Sequence, residues 1–246
     1  MPIRSFVEAA RDSSCKVYGC FEALRPMLDD DAMRAIAARY WAAGVDGLYF
    51  FNYYSMSGEW KRDFLAQLAD PVGLARSDKQ YQMDSSIVKP ESQLGFSFAN
   101  AIPKVQLPVR LLPTPGGRGV VLCIDVSDDV STASAAGTLG RCTFGLGFKE
   151  LRPDCAPFLV ALNGDPLQWT SHMRPAQAWS GARYESNWNV YPSTLTFEPV
   201  QGELIEFDIS NTSLRQGVNE VEIRLETGEA LDLVDVRLWI RYQPAG

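Results

Sequence analysis

Two short apolar runs lead into side chains that could do chemistry. Val17-Tyr18-Gly19-Cys20-Phe21 runs into Glu22, and Gly47-Leu48-Tyr49-Phe50-Phe51 runs into Asn52, Tyr53 and Tyr54. A carboxylate at such a position can serve as acid, base or nucleophile at an acetal carbon, a reaction that needs two carboxylates at a defined separation. Glu22 is therefore the candidate catalytic residue, and a solvated loop glutamate is the alternative. An amide can bond hydroxyls and an aromatic face can stack on the C–H face of a sugar ring. Asn52, Tyr53 and Tyr54 are thus candidates for substrate contact, against ordinary packing beside a strand end. Glu59 could be the second carboxylate, but it fits better in the first turn of a helix, where negative charge favours the dipole. Trp60 could touch a ligand or lie in the core.

Other candidates carry less. His172 is the only histidine, so a His-rich metal site is impossible and a histidine-dependent triad would hang on that one residue. Cys15, Cys20, Cys123, Cys142 and Cys155 contain no CxxC pair, and an odd count argues against a fully paired framework, with one bridge among the last three left open. Asp125, Asp128 and Asp129 lie close together but lack the alternating spacing of a calcium loop. No metal and no cofactor is expected. Trp169, Trp179, Tyr184, Trp188 and Tyr191 gather in what reads as one long polar connection, either a carbohydrate platform or a cover for a sheet.

Composition narrows the partners. The chain has 246 residues, 46% apolar and 22% charged, with a formal net charge of -7 and scattered basic residues. Nothing forms the basic stripe that a phosphate backbone demands, so no nucleic acid is expected. The first residues, MPIRSFVEAARDSS, hold no long apolar stretch, so no signal peptide is visible. No run is long enough to span a bilayer. The compartment is left open.

The elements that must position these residues fall into two halves. Ser5 and Glu8 fit a capping box opening a short first helix. Asp29 to Asp31 cap a second helix, whose stripe is Met33, Ile36, Ala37, Tyr40 and Trp41, with Gly44 as its left-handed terminator. A third helix spans about Glu59 to Ala69 and stops at Asp70-Pro71. With the two apolar runs as strands, this is a right-handed strand–helix alternation. The run at Gly47–Phe51 has no polar alternation, which predicts a strand covered on both faces. From Gln106 the period becomes two. Val236, Leu238, Ile240 and Tyr242 share one predicted face, with Arg237, Trp239 and Arg241 on the other. Asn163-Gly164 is a hairpin signal. Short strands without helices between them predict an antiparallel sandwich or jelly roll. The division is residues 1–85 as an α/β part, 86–105 as linker and 106–246 as β-sandwich.

The run from Ala37 to Asn52, with its Ala43-Gly44-Val45-Asp46-Gly47 turn and aromatic strand ending in asparagine, resembles the last strand–helix repeat of glycoside-hydrolase-like (β/α)8 barrels. Val17 to Glu22 resembles the seventh strand, and Leu214 to Ile223 is similar to the final hairpins of galactose-binding-like sandwiches attached to such barrels. The resemblance implies a partial barrel followed by a sandwich, a carbohydrate ligand, and Glu22 at the position where retaining enzymes of this class carry their nucleophile. The sequence departs from the family in lacking the first six strands. A lone pair of strand–helix units needs neighbours, so an upstream segment, a homo-oligomer partner or the sandwich is expected to supply them. The chain alone is expected not to hydrolyse glycosides; a non-catalytic carbohydrate-binding or interaction module is the alternative.

Overall fold

A computed structural model describes residues 3–22, 29–51, 58–83, 106–149, 158–184, 195–209 and 214–243. In chain order the amino-terminal elements are α1 (Ile3–Ala10), β1 (Tyr18–Glu22), α2 (Asp30–Ala43), β2 (Gly47–Phe51), α3 (Gly58–Leu68) and α4 (Pro71–Leu74). Then come β3 (Lys79–Gln82), β4 (Val109–Leu111), β5 (Val120–Val126), α5 (Val130–Ala135), β6 (Leu139–Lys149) and β7 (Phe158–Leu162). The last are β8 (Asp165–Pro166), β9 (Trp169–Tyr184), β10 (Leu195–Asp208), β11 (Gly217–Leu225) and β12 (Leu231–Tyr242).

The ends of α2 follow local chemistry. The Asp29 side chain accepts from the Ala32 N–H, and Gly44 closes the helix at φ 88°, where a side chain would be strained. The predicted stripe packs as expected: Met33 and Ala37 are buried, and Ile36, Tyr40 and Trp41 lean on a cluster with Phe21, Phe64, Leu68 and Leu74. The first helix differs from expectation. It begins at Ile3, which puts Ser5 inside the first turn rather than at the cap. Beyond the predicted stop at Asp70, Pro71 takes the first position of α4 with Asp70 as its cap, so the chain re-enters a helix at once.

β1 and β2 run parallel with α2 as their crossover. Among the described residues they pair only with each other, so the α/β part is one strand–helix–strand unit with no barrel closure. The remaining strands form two antiparallel sheets. One has the order β3-β12-β6-β10-β9, with β4 also on β12; the other has the order β5-β11-β7-β8. Their facing sides share one core, including Leu122, Phe144, Leu146, Phe207, Val221, Ile223, Leu238 and Ile240. β3, from the stretch before residue 85, is an edge strand of this sandwich.

The predicted alternation at the carboxyl end is borne out. Val236, Leu238 and Ile240 are fully buried. Leu231 and Leu233 are also buried although they have the opposite parity. A register shift between Leu233 and Asp235 absorbs the difference, turning both sets to the same side. Asn163 and Gly164, at φ 53° and 89°, make the tight turn between β7 and β8. The polar connection drawn around Trp169, Trp179 and Tyr184 is corrected: these residues lie in the long strand β9, paired with β10. Trp188 and Tyr191 lie outside the described residues.

Candidate functional site

The parallel pair is in simple register: Tyr18 with Gly47, Gly19 with Leu48, Cys20 with Tyr49, Phe21 with Phe50, and Glu22 with Phe51. Its entry is clamped by Asp46. That carboxylate accepts from the Val17 N–H and the Lys16 ammonium, each at 2.9 Å, while the Asp46 N–H donates to the Val17 carbonyl at 2.8 Å. The lysine and the backbone bond hold the Asp46 carboxyl below its ordinary range. The aspartate of the turn thus sets the strand register.

One side of the pair packs on the helices. Phe21 stacks on Phe50 at 4.9 Å and meets the edge of Tyr40 at 5.6 Å. The Tyr40 hydroxyl donates to the Cys20 carbonyl at 3.0 Å. Gly19 is required there, because a Cβ would lie 2.3 Å from the Tyr40 ring. The other side is open, which corrects the expectation of a strand covered on both faces. Tyr18 and Tyr49 are each 54% exposed and Phe51 45%, with Cys20 exposed beside them. The run is apolar on both sides, but the described residues supply helices to only one.

The structure brings the carboxyl end of β1 beside that of β2, so Glu22 stands opposite Phe51, the residue before Asn52. Ligands of parallel α/β units bind at such ends. The Glu22 side chain lies outside the described residues, as do Asn52, Tyr53 and Tyr54. Glu59 and Trp60 fall in the first turn of α3, and their side chains also lie outside the described residues. His172 falls within β9.

Sequence reasoning missed a buried polar cluster in the sandwich. Lys79 and Asp128 form an ion pair at 2.8 Å with both side chains almost wholly buried. The lysine also donates to the Ser77 carbonyl at 2.8 Å and lies 5.0 Å from the centre of the Tyr242 ring. Asp128 accepts further from the hydroxyls of Tyr81 and Tyr242. Burial lowers the Lys79 pKa against the opposing pull of Asp128. Burial and then the Asp128 charge raise both tyrosines. Asp129 is different: it caps α5, accepting from the Thr132 N–H, the Thr132 hydroxyl and Ser131, which brings its pKa down to about 2. The acidic run therefore divides into a buried counter-ion and a helix cap. The spacing Asp129-x-Ser131-Thr132 is the signal that could have shown the cap. Among the described residues no group of three ligands is placed to hold a metal. No described helix is long and apolar enough to cross a membrane.

No family model matches this chain, and no curated protein matches it. A solved structure similar to it is a beta-porphyranase of glycoside hydrolase family 86 from the human gut bacterium Bacteroides plebeius. The identity is 16% and the TM-score 0.31, over 69% of this chain and 22% of that one. The chain thus spans about a fifth of that protein.

Proposed function

We propose that this chain is the carboxyl-terminal portion of a carbohydrate-active protein, in which the β1–β2 pair offers its open aromatic side and its strand ends to a glycan. The observation that carries the reading is the in-register parallel pairing, with Tyr18, Tyr49 and Phe51 exposed along one side of it and Phe51 at the carboxyl end opposite Glu22. Aromatic faces of this kind suit the apolar faces of sugar rings. In this reading Glu22 is one carboxylate of a hydrolytic pair, Asn52, Tyr53 and Tyr54 contact sugar, and the second carboxylate belongs to a part of the full protein beyond this chain. The α/β part and the sandwich are then successive domains, the first being the end of a (β/α)8 barrel. Alone, the chain binds glycan without cleaving it.

The test is affinity electrophoresis of the full chain in gels cast with a panel of polysaccharides, run beside a glycoside turnover assay. Retardation by at least one polysaccharide, reduced by Tyr49→Ala, with no turnover, is expected. Turnover by this chain would overturn the claim of inactivity, and the absence of any retardation would overturn glycan binding.

A second reading, an interaction module, is favoured by the two strand edges left unpaired among the described residues. It predicts a self-associated species in light scattering that Tyr49→Lys disperses.

A further inference from the structure

Beside the Lys79–Asp128 pair lies a cavity of about 470 Å³, walled by α2, α4, α5 and the end of β12. That is within the usual size range of small-ligand sites. One wall is apolar: Trp41 with small neighbours such as Ala38 and Ala42. The Trp41 N–H is committed to the Leu68 carbonyl at 2.8 Å, which leaves its ring as the contact surface.

The polar lining has an unusual bias. Every hydroxyl in it has already donated its proton inside the protein. Tyr242 donates to Asp128 at 2.5 Å, Thr132 to Asp129 at 2.7 Å, and Thr138 to the Ala133 carbonyl at 3.1 Å. Because the Tyr81 proton goes to Asp128, Ser127 must be the donor in its 2.7 Å bond with the Tyr81 hydroxyl. Gln216 spends one N–H of its NH2 on the Ser127 carbonyl at 2.9 Å, leaving its side-chain oxygen and the second N–H. What the four hydroxyls still offer is lone pairs, which suit a ligand that brings its own donors, while the second Gln216 N–H and Arg76 can donate to the oxygens of that ligand.

The charges balance. Lys79 and Asp128 satisfy each other, while Arg76 and Asp129 stand as opposite charges on the lining. A cation would face Arg76, and an anion would face a carboxylate that the α5 cap keeps ionised. We infer that this cavity binds an uncharged, hydroxyl-rich ligand the size of one sugar ring, its O–H groups donating to Tyr242, Thr132, Thr138 and Gln216, its C–H face on Trp41. The site is separate from the β1–β2 face and stands without the reading of Glu22.

Saturation-transfer NMR on the full chain tests this with methyl β-glucopyranoside and methyl β-galactopyranoside, and with benzoate and benzylammonium as charged probes. Transfer to the ring protons of at least one glycoside is expected. Thr138→Val and Gln216→Leu should each weaken it about fivefold, the effect of one neutral hydrogen bond. Ala136→Trp, at the exposed end of α5, should fill the cavity and abolish it. If that variant fails to fold by circular dichroism, Gln216→Leu, at an exposed position, decides alone. No transfer to either glycoside, or stronger transfer to a charged probe, would overturn the site. Transfer that survives the filled cavity would also overturn it, while leaving glycan binding at the β1–β2 face intact.

Discussion

Asp128 gathers three side chains from two strands onto one buried carboxylate. It accepts from Lys79 and Tyr81 on β3 and from Tyr242 at the end of β12. A buried charge pair is costly to form but far costlier to break, because removal of one partner strands the other. Asp128→Asn should therefore destabilise the protein by about 3–5 kcal/mol in urea unfolding, and Lys79→Met with Asp128→Leu, Tyr81→Phe and Tyr242→Phe, which removes every partner together, should recover most of that loss. A single-variant loss below about 1 kcal/mol would contradict the role given to the pair. The same cluster sets the alkaline limit. The unfolded chain ionises tyrosine near 10, whereas Tyr81 and Tyr242 hold their protons in the fold. The unfolded state then binds fewer protons, so their contribution is complete below pH 10 and declines as pH rises above it. Lys79 acts in the opposite sense, since burial lowers its pKa and its cost is relieved as pH approaches 10.5. Two tyrosines outweigh one lysine, so stability should fall above pH 10. A spectrophotometric titration should show two tyrosines ionising only as the chain unfolds; free ionisation of all of them near 10 would refute it.

Among the elements, the β1–β2 layer depends on contacts as close as Gly19 against Tyr40. Gly19→Ala would drive the ring from its place and lose its bond to the Cys20 carbonyl, at a cost of about 1–3 kcal/mol. Hydrogen exchange should show faster opening of β1 in that variant; unchanged protection would mean that the ring adjusts freely. This layer also shows what can be read from a sequence. The helix α2 was fully legible, because its cap, its stripe and its glycine end are local signals within one segment. The parity of β12 was legible from Val236 onward, but not the shift at Asp235 that lets Leu231 and Leu233 join the same core. An apolar run such as Gly47–Phe51 announces two apolar sides without saying what covers them, and here one side of Tyr18, Tyr49 and Phe51 stays open. The Lys79–Asp128 pair joins residues far apart in sequence, so no local pattern could have revealed it. For the candidate site, the placement of Glu22 at a strand end next to the end of β2 was legible, because an apolar run that ends in a carboxylate is a local signal.

At the scale of the molecule, α2 is what joins the two layers. Its stripe packs on the β1–β2 side, while Ala35, 2% exposed, belongs to the core of the sandwich. The joint is reinforced by charge. Arg241 on β12 pairs with Asp31 on α2 and, at 3.4 Å, with Asp78, whose other oxygen accepts from the Tyr242 N–H at 2.8 Å. Burial opposes the Arg241 charge, but the two aspartates outweigh it and hold its pKa above the ordinary value. Partly exposed pairs of this kind contribute little singly, about 1 kcal/mol or less. The buried contact of Ala35 adds a contribution of similar size, so the coupling is the sum of several small terms along α2. A helix shared by two cores makes local opening of one layer expose the other, so the chain should unfold in one calorimetric transition. Arg241→Ala should lower its midpoint by a few degrees without splitting it. Ala35→Asp, which puts a carboxylate into the sandwich side of the joint, should split the transition, with β1 and β2 losing hydrogen-exchange protection before β12. Two transitions in the unaltered chain would instead make the helical layer an independent unit and remove α2 from its coupling role.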